Sequence, residues 1–379
     1  MKFSQLFFQN SFFERDNNKL ELIDLMRKAG FVHQDNSGVY SWLSLGMLLR
    51  KKVENIIHEE MIKVGFSEIE LSIIQDADLW KKTNRINTYG AELIQFKNRK
   101  QHDFVLGATC EELITNIVKN HYQGMDINLH VYQIGNKYRD ELRAKAGLIR
   151  AKEFIMKDAY SFCSTEEQLE NIYHKVKQAY CNIFDRLNLK YFIYSSDNGE
   201  IGGESSEEFH CLSEFGEAEY NDKKSIEIAH IFNLGTTYSE QFDLKNNFQQ
   251  FVHMGCYGIG VSRLVMALLE QYRDDMGFIG SKNFNTFDIV ISVIDYKNEL
   301  LKEKTDYFYQ QLKNLGYQVL LDDRNIQAGK KMADAELIAC QYRIIIGKNS
   351  LSNDSYEIFC RDTKNKNNLS EEKILSFNY

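Results

Sequence analysis

Proline is absent from all 379 residues, although average usage of about 5% predicts roughly 19 in a chain of this length. Chance is excluded as the cause, since the Poisson probability of none is on the order of 10⁻⁸. An AT-rich genome lowers proline usage, and the many Lys, Asn, Ile and Phe residues fit such a bias. Glycine, however, has equally GC-rich codons and occurs 22 times, so base composition does not account for the loss by itself. No C-x-x-C pair occurs among the seven cysteines, which excludes the usual zinc and redox-couple patterns and leaves reduced, mostly buried thiols as the default. No apolar run approaches the roughly 18 residues of a membrane span. The opening MKFSQLFFQNSFFERD breaks its aromatics with Gln and Asn instead of forming a secretory apolar core, so the expectation is a cytoplasmic protein with no membrane partner. Net positive charge is also lacking: a balance of −8 argues against a chain that coats nucleic acid, while leaving room for a local basic patch facing a particular RNA.

What remains is a chain of ordinary globular composition, long enough for two or three domains. From Leu45 to Val64 apolar residues recur every three or four positions, and Gly65 follows as a stop, which predicts a long helix. Directly after it, FSEIELSII alternates Ile69, Leu71 and Ile73, the period of a half-buried strand. Strand-like segments follow at Asp103–Leu106, His130–Tyr138, Lys152–Met156, Phe209–Leu212, Ser225–Phe232 and Phe251–Met254. Few helices intervene, which favours an antiparallel sheet. A helix over Thr165–Leu187 begins with a capping-box pattern, Ser164 or Thr165 facing Glu167 or Gln168. After about Phe284 the order becomes strand, helix, strand, helix, strand, strand, a βαβα pattern with parallel crossovers. The expected fold is therefore an α+β domain over residues 1–283, with a boundary near Asn283–Thr286 and a separate α/β domain over 284–379.

Three stretches carry candidate chemistry. In GATCEELI, strand, turn and helix place Thr109 and Glu111 at a helix mouth, where they could cap backbone amides or hold a small cation. In YRDELRAKAGLIRAKEF, Arg139, Arg143 and Arg150 flank Glu141 and Glu153 on a strand-loop-strand. That pattern is either a solvated hairpin with exposed ion pairs or a phosphate site with guanidinium forks on an anion. In MGCYGIGVSRLVMALLEQ, Gly255, Gly258 and Gly260 lead into an apolar helix carrying Arg263. The spacing is neither a dinucleotide fingerprint nor a Walker loop, and the glycines could serve only close packing.

Together, and in this order, the helix-strand VGFSEIELSII, the arginine-bearing hairpin and the glycine-rich strand into helix resemble motifs 1, 2 and 3 of class II aminoacyl-tRNA synthetases. More narrowly, GATCEE, YQIGNKYRDELRAKAGLIRAKEFIMKDAYSF, EIAHIFNLGTTYSE, MGCYGIGVSR and LLDDRNIQAGKKMADAELI are similar to bacterial-type prolyl-tRNA synthetases over almost the whole chain. The resemblance implies a six-stranded antiparallel catalytic sheet flanked by helices, a homodimer built partly on motif 1, and a C-terminal α/β anticodon-binding domain. It implies proline, ATP, magnesium and tRNA(Pro) as substrates and partners: proline is joined to ATP as prolyl adenylate, then esterified to the terminal adenosine of the tRNA. Positioning and charge compensation supply most of such catalysis, so no general base is demanded. By resemblance Arg139 holds the α-phosphate and the substrate carboxylate, Glu141 orients the adenine end, Phe154 stacks beneath the base, and Arg263 reaches the γ-phosphate. Arg150, Glu227 and His230 complete the ATP site, Thr109 and Glu111 grip the secondary ammonium of proline, and Phe209 walls its ring.

The chain departs from the family at Cys110 and Glu207, where His is usual, and at Asn233, where Gln or Lys is common; these bear on substrate choice and inhibitor sensitivity. Only CLSEFGEAEYNDKKSIEIA lies between Phe209 and His230, where many bacterial relatives carry an editing domain. Other readings of the same residues are a repurposed synthetase-like regulator and an adenylating enzyme with a non-tRNA acceptor. Retention of Thr109, Glu111, Arg139, Glu141 and Arg263 disfavours the first, and the appended C-terminal domain disfavours the second.

Ser44, Ser72, Ala108, Ala144 and Ala328 stand where the family normally has proline. At about 0.4 to 1 kcal/mol per compatible site, such losses are a serious fraction of a stability of about 5 to 15 kcal/mol. A synthetase for proline that itself needs none can be translated when charged tRNA(Pro) has run out. The expectation is a backup or inhibitor-resistant copy, with a chain artificially stripped of proline as the competing account. Blocking the principal enzyme in the source cell should leave synthesis of this protein running and restore tRNA(Pro) charging; arrest of its synthesis with the rest of the proteome refutes the rescue role.

Overall fold

The computed structural model describes residues 1–7, 20–196, 199–216, 218–220 and 222–377. Residues 8–16 of the opening stretch lie outside the described residues, as do Glu217 and Asn221 of the short segment between Phe209 and His230. The chain forms two compact units, one from Asp35–Tyr40 and Val53–Ala267, the other from Met1–Gln34, Ser41–Lys52 and Leu268–Tyr379. Among the described residues no helix is long and apolar enough to cross a membrane.

The first unit is organised by a sheet whose antiparallel strands lie in the order Asn128–Tyr138, Glu153–Cys163, His253–Ile259, Lys223–Asn233, Ser205–Leu212 and Tyr191–Ser196. All but the last were legible as apolar segments, with ends displaced from those of the true strands. The first two pair over eleven positions, from Asn128 opposite Cys163 to Tyr138 opposite Glu153. Two short strands extend this core: Ser67–Glu68 runs parallel to Val131 and Tyr132, and Ala218–Tyr220 pairs with the start of Lys223–Asn233. The expected strand through Ile69, Leu71 and Ile73 is therefore a correction. Only Ser67 and Glu68 pair in register, the Ile69 amide still donating to the Tyr132 carbonyl (2.8 Å), because the Leu71 amide is taken by the side chain of Gln133 (2.8 Å) and the chain then bends away. Ile69 and Leu71 still pack against the core, while Ile73 is exposed.

One face of the sheet is covered by the helix Glu166–Arg186, whose buried stripe Leu169, Ile172, Val176, Ala179, Tyr180 and Ile183 has helical spacing. Its start is settled by a capping box between Thr165 and Gln168. Beneath it lies Lys157, wholly buried, donating to the Tyr180 hydroxyl and to the Tyr257 carbonyl. Burial lowers its ammonium to about 7.

In the second unit the strands Val319–Asp322, Ile289–Val293 and Tyr342–Ile346 are parallel, joined by the helices Glu299–Asn314 and Ala328–Leu337. The pattern changes at Tyr356–Cys360, which is antiparallel to Tyr342–Ile346 and carries a further antiparallel strand, Lys366–Leu369. The link from Ile346 to Tyr356 is too short for a crossover of a dozen residues, so the chain turns back. The amino terminus joins this unit: the Met1 ammonium donates to the Val319 carbonyl at 2.9 Å.

Ser44 and Ala328, two of the positions where the resemblance leads one to expect proline, are each the first residue of a helix. That is the position where a missing N–H costs least and a fixed φ near −65° is preorganised. Gln327, before Ala328, has φ −56° and ψ 138°, the conformation a following proline requires. Ala328→Pro should accordingly raise stability by about 0.4 to 1 kcal/mol, read as a higher denaturant midpoint; an unchanged or lower midpoint would show the backbone is not preformed for it.

Candidate active site

The sheet face opposite the long helix forms the floor of a cavity of about 390 Å³. Nine of the ten predicted site residues line it: Thr109, Glu111, Arg139, Glu141, Arg150, Phe154, Glu227, His230 and Arg263. Arg139 leaves the end of Asn128–Tyr138, its guanidinium 5.2 Å from the Phe154 ring centroid, and its buried Nε has no partner among the described residues. On the returning limb Arg150 pairs with Glu141 at 2.7 Å. The solvated-hairpin alternative is thereby displaced, since these groups face a cavity. Arg143 is not part of the lining.

Arg263 is held by the first turn of the helix Val261–Gln271. Its Nη1 donates to the Glu227 carbonyl (2.8 Å) and its Nε to the Ile149 carbonyl (3.1 Å). The glycines before it divide their work. A Cβ at Gly255 would lie 2.1 Å from the Tyr257 hydroxyl oxygen, so that glycine serves packing; Gly258 and Gly260 line the cavity. Burial would raise the Glu227 carboxyl, but the hydrogen bond from His230 and the charge of Arg263 hold it below the usual range. His230 stacks on Phe232 with centroids 3.8 Å apart.

Thr109 does not cap the helix Glu111–Tyr122. The N-cap is Cys110, without a side-chain bond, and the Thr109 hydroxyl donates to Glu111 Oε2 at 2.5 Å. Glu111 Oε1 receives the Cys256 thiol at 3.1 Å, and Oε2 also receives Arg85 Nη1 at 3.0 Å. Arrangement of a hydroxyl and a buried carboxylate at a cavity wall suits an organic cation better than a metal ion, and no cluster of three metal-ligating side chains occurs among the described residues.

Two parts of the chain match known domain families: tRNA synthetase class II core domain (G, H, P, S and T) over residues 94–272, and anticodon binding domain over residues 288–377. The proline–tRNA ligase of Bartonella tribocorum is 35% identical over 93% of each chain. That of Ehrlichia chaffeensis is 35% identical over 92% of this chain and 93% of its own. The chain belongs to the prolyl-tRNA synthetase family. Its activity is that of a class II proline–tRNA ligase, which uses ATP to join proline to tRNA. The fold agrees with the Giardia lamblia prolyl-tRNA synthetase in complex with prolyl-adenylate, at a TM-score of 0.83 and 21% identity over 95% of this chain and 75% of that one. The Cryptosporidium parvum prolyl-tRNA synthetase complexed with halofuginone and AMPPNP gives 0.84 and 16%, over 97% and 78%.

One site residue expected from the sequence lies elsewhere. Phe209 does not wall the cavity: it is fully buried among Tyr180, Phe184 and Tyr191, beneath the long helix. Side chains alternate along a strand, so its neighbour Glu208 faces the cavity instead. There the His210 ring (2.6 Å), the Ser196 hydroxyl and His230 hold the Glu208 carboxyl down to about 2 against the effect of burial. Of the family departures, Glu207 points away, bonded to Lys177 (2.6 Å) and Tyr173 (3.1 Å). Cys110 is buried against the amides of Gln75 and Gln133, and Asn233 Oδ1 accepts the Gly235 amide. None of the three lines the cavity.

Sequence reasoning also missed Arg85, Glu112 and Asp158. Asp158 lines the cavity and is bonded to Lys137, Gln133 and Tyr160. It shares a strand face with Phe154 and Met156, a period-two signal that was available. Arg85 gave none, because its carboxylate partners lie more than twenty residues away.

Proposed function

We propose that this cavity binds proline and ATP side by side and catalyses formation of prolyl adenylate. The observation that carries the reading is the convergence of Thr109 and Glu111 with Arg139 and Arg263 on one cavity wall system. In this assignment Thr109 and Glu111 take the secondary ammonium, with Asp158 adding negative charge to the same end. Arg139 lies between, holding the proline carboxylate against the α-phosphate and countering charge as it develops on the transferring group. Glu141 and Phe154 serve the adenine end, Arg150 fixes Glu141 by their ion pair, and Arg263 takes the γ-phosphate. Glu227 and His230 stand at the ribose and phosphates.

Magnesium fits as a companion of the nucleotide. Such ions use phosphate oxygens, waters and one or two carboxylates, and Glu227 beside Arg263 is the carboxylate positioned for that. It would supply charge neutralisation at the leaving pyrophosphate. Residues 284–379 are assigned to tRNA(Pro) anticodon binding and 1–283 to catalysis. A homodimer is inferred from the resemblance, with Ile62, Ile73 and Ile74, in and beside motif 1, each exposed to a partner, and a cytoplasmic location follows from the translation role.

Pyrophosphate exchange tried with each of the twenty amino acids should be strong with proline; silence with all twenty rejects the reading. Arg139→Ala should lower kcat/KM by at least about 10² to 10³ while leaving the thermal transition in place, and near-normal exchange in that variant would displace Arg139 from the centre of the site. A pocket for proline cannot exclude the smaller alanine, because each missing methylene is worth only about 1 to 3 kcal/mol. With so short a segment before His230, the enzyme should form alanyl-tRNA and not clear it; rapid hydrolysis of supplied alanyl-tRNA would contradict this.

A further inference from the structure

The charge balance behind Glu111 is uneven. Glu111 and Glu112 are adjacent, both wholly buried, and one guanidinium group serves both: Arg85 Nη1 lies 3.0 Å from Glu111 Oε2 and 3.0 Å from Glu112 Oε1. The remaining nitrogens of Arg85, Nε and Nη2, find no hydrogen-bond partner among the described residues. They lie among the rings of Trp80, Tyr89 and Tyr238, whose centroids are 5.2, 5.3 and 5.8 Å from the guanidinium carbon. Glu112 Oε1 accepts from Thr83 at 2.9 Å, while its buried Oε2 has no partner among the described residues.

Among the described residues no other cation balances the pair. Facing Glu111 from the sheet are Cys256, Tyr160 and Lys137, with Cys110 beside it at the helix start, and that lysine is already matched by Asp158 at 2.7 Å. Facing Glu112 are Thr83 and Tyr238. The helices packed on Glu111–Tyr122 carry Asp78, Lys81 and Lys82 on one side and Glu240 on the other, all exposed to solvent. Asp78 pairs with Lys81, Lys82 lies over the Phe242 ring, and Glu240 accepts from Thr236. Two carboxylates and one guanidinium in an apolar enclosure leave one negative charge uncompensated, which burial resists strongly.

We propose that the empty site stores one proton on the Glu111–Glu112 pair, carried by Glu112, and that docking of the cationic secondary amine at Thr109 and Glu111 expels it. This rests on the placement of the proline ammonium at Glu111. The balance is simple: a neutral carboxyl at Glu112 gives its proton to solvent, the amine enters still protonated, and two carboxylates then face two cations. Burial, reinforced by Glu111 and opposed by Arg85, raises the Glu112 carboxyl; at Glu111 the pull of Arg85, Thr109 and Cys256 overcomes burial and keeps it low. Arg85 and Glu112 are positioning residues, acting on substrate through Glu111. The stored proton makes the site neutral when empty and anionic only in the presence of a cation, so a neutral ring acid of proline's shape gains nothing from Glu111.

Proton release is measured with the full-length protein in weakly buffered solution with an indicator dye, on adding saturating L-proline between pH 6 and 9. The expected result is release that is greatest at the low end of the range and falls as pH rises, with none released by cyclopentanecarboxylate. Glu112→Gln, still binding ATP, should release no proton at any pH and bind proline at least tenfold more weakly at pH 8. Absence of release from the wild type overturns the proposal, as does release retained in Glu112→Gln. If that variant does not fold, the wild-type profile decides: a free amine titrates near about 10, so release that stays flat from pH 6 to 9 assigns the proton to proline itself and overturns the storage role. Failure of the underlying placement is read separately, as wild-type proline affinity in Glu111→Gln.

Discussion

Alternation along the strands is the constraint from which the rest of this structure follows. Each central strand has to serve an apolar layer on one face and a charged cavity on the other, and a slip of one residue would exchange them. Along Glu153–Cys163, Phe154, Met156 and Asp158 line the cavity, while Lys157 reaches back under the helix Glu166–Arg186. Along His253–Ile259, Cys256 and Gly258 face the cavity, and Tyr257 lies on the helical side against Tyr173. Along Ser205–Leu212, Glu208 faces in; Phe209 joins the aromatic cluster on the other face. The long register between Asn128–Tyr138 and Glu153–Cys163 fixes where the hairpin between them begins, and therefore where Arg139 and Glu141 stand.

A sheet face that carries so many ionised groups is stable only if each is compensated. Lys137 with Asp158, Arg85 with Glu111 and Arg150 with Glu141 form local balances around one cavity, and the His210 ring and Ser196 hydroxyl hydrogen-bond Glu208. Such groups gain little folding energy over apolar residues of the same volume, because desolvation offsets their attraction. Their value is preorganisation: charges fixed before substrate arrives need no rearrangement when charge moves in the reaction. The Arg139 Nε and the His230 Nε2 are buried without partners among the described residues, a cost borne in the part of the molecule that handles ligands.

Much of the catalytic unit was legible because its signals are local. A capping box, a helix stripe, paired apolar segments and an arginine-bearing hairpin each declare themselves within a few residues, and the ordered motifs placed nine residues on one cavity. The errors share one cause, the absence of a local signal for tertiary competition. Nothing in FSEIELSII says that a glutamine 62 residues on will claim the Leu71 amide. Nothing in KKTNRINTYG marks Arg85 as the counter-ion of a carboxylate 26 positions later. Phe209 is different: alternation with Glu208 already separates the two onto opposite faces, so the misplacement came from letting apolar character outweigh strand geometry.

The proline-free composition is structurally tolerable for a reason that the helix starts make plain. At Ser44 and Ala328 a helix begins at that residue, so the backbone is held by the helix itself and proline would only have restricted the unfolded chain. Ala108 is fully buried ahead of the cap at Cys110, and Ser72 turns its hydroxyl onto the Ile74 carbonyl, a local bond that proline lacks. The loss therefore falls on unfolded-state entropy and leaves the cavity's geometry to the sheet register and the charge pairs. A fold whose site is fixed by strand alternation can dispense with rigid turns, because the turns need only connect what the sheet has already aligned.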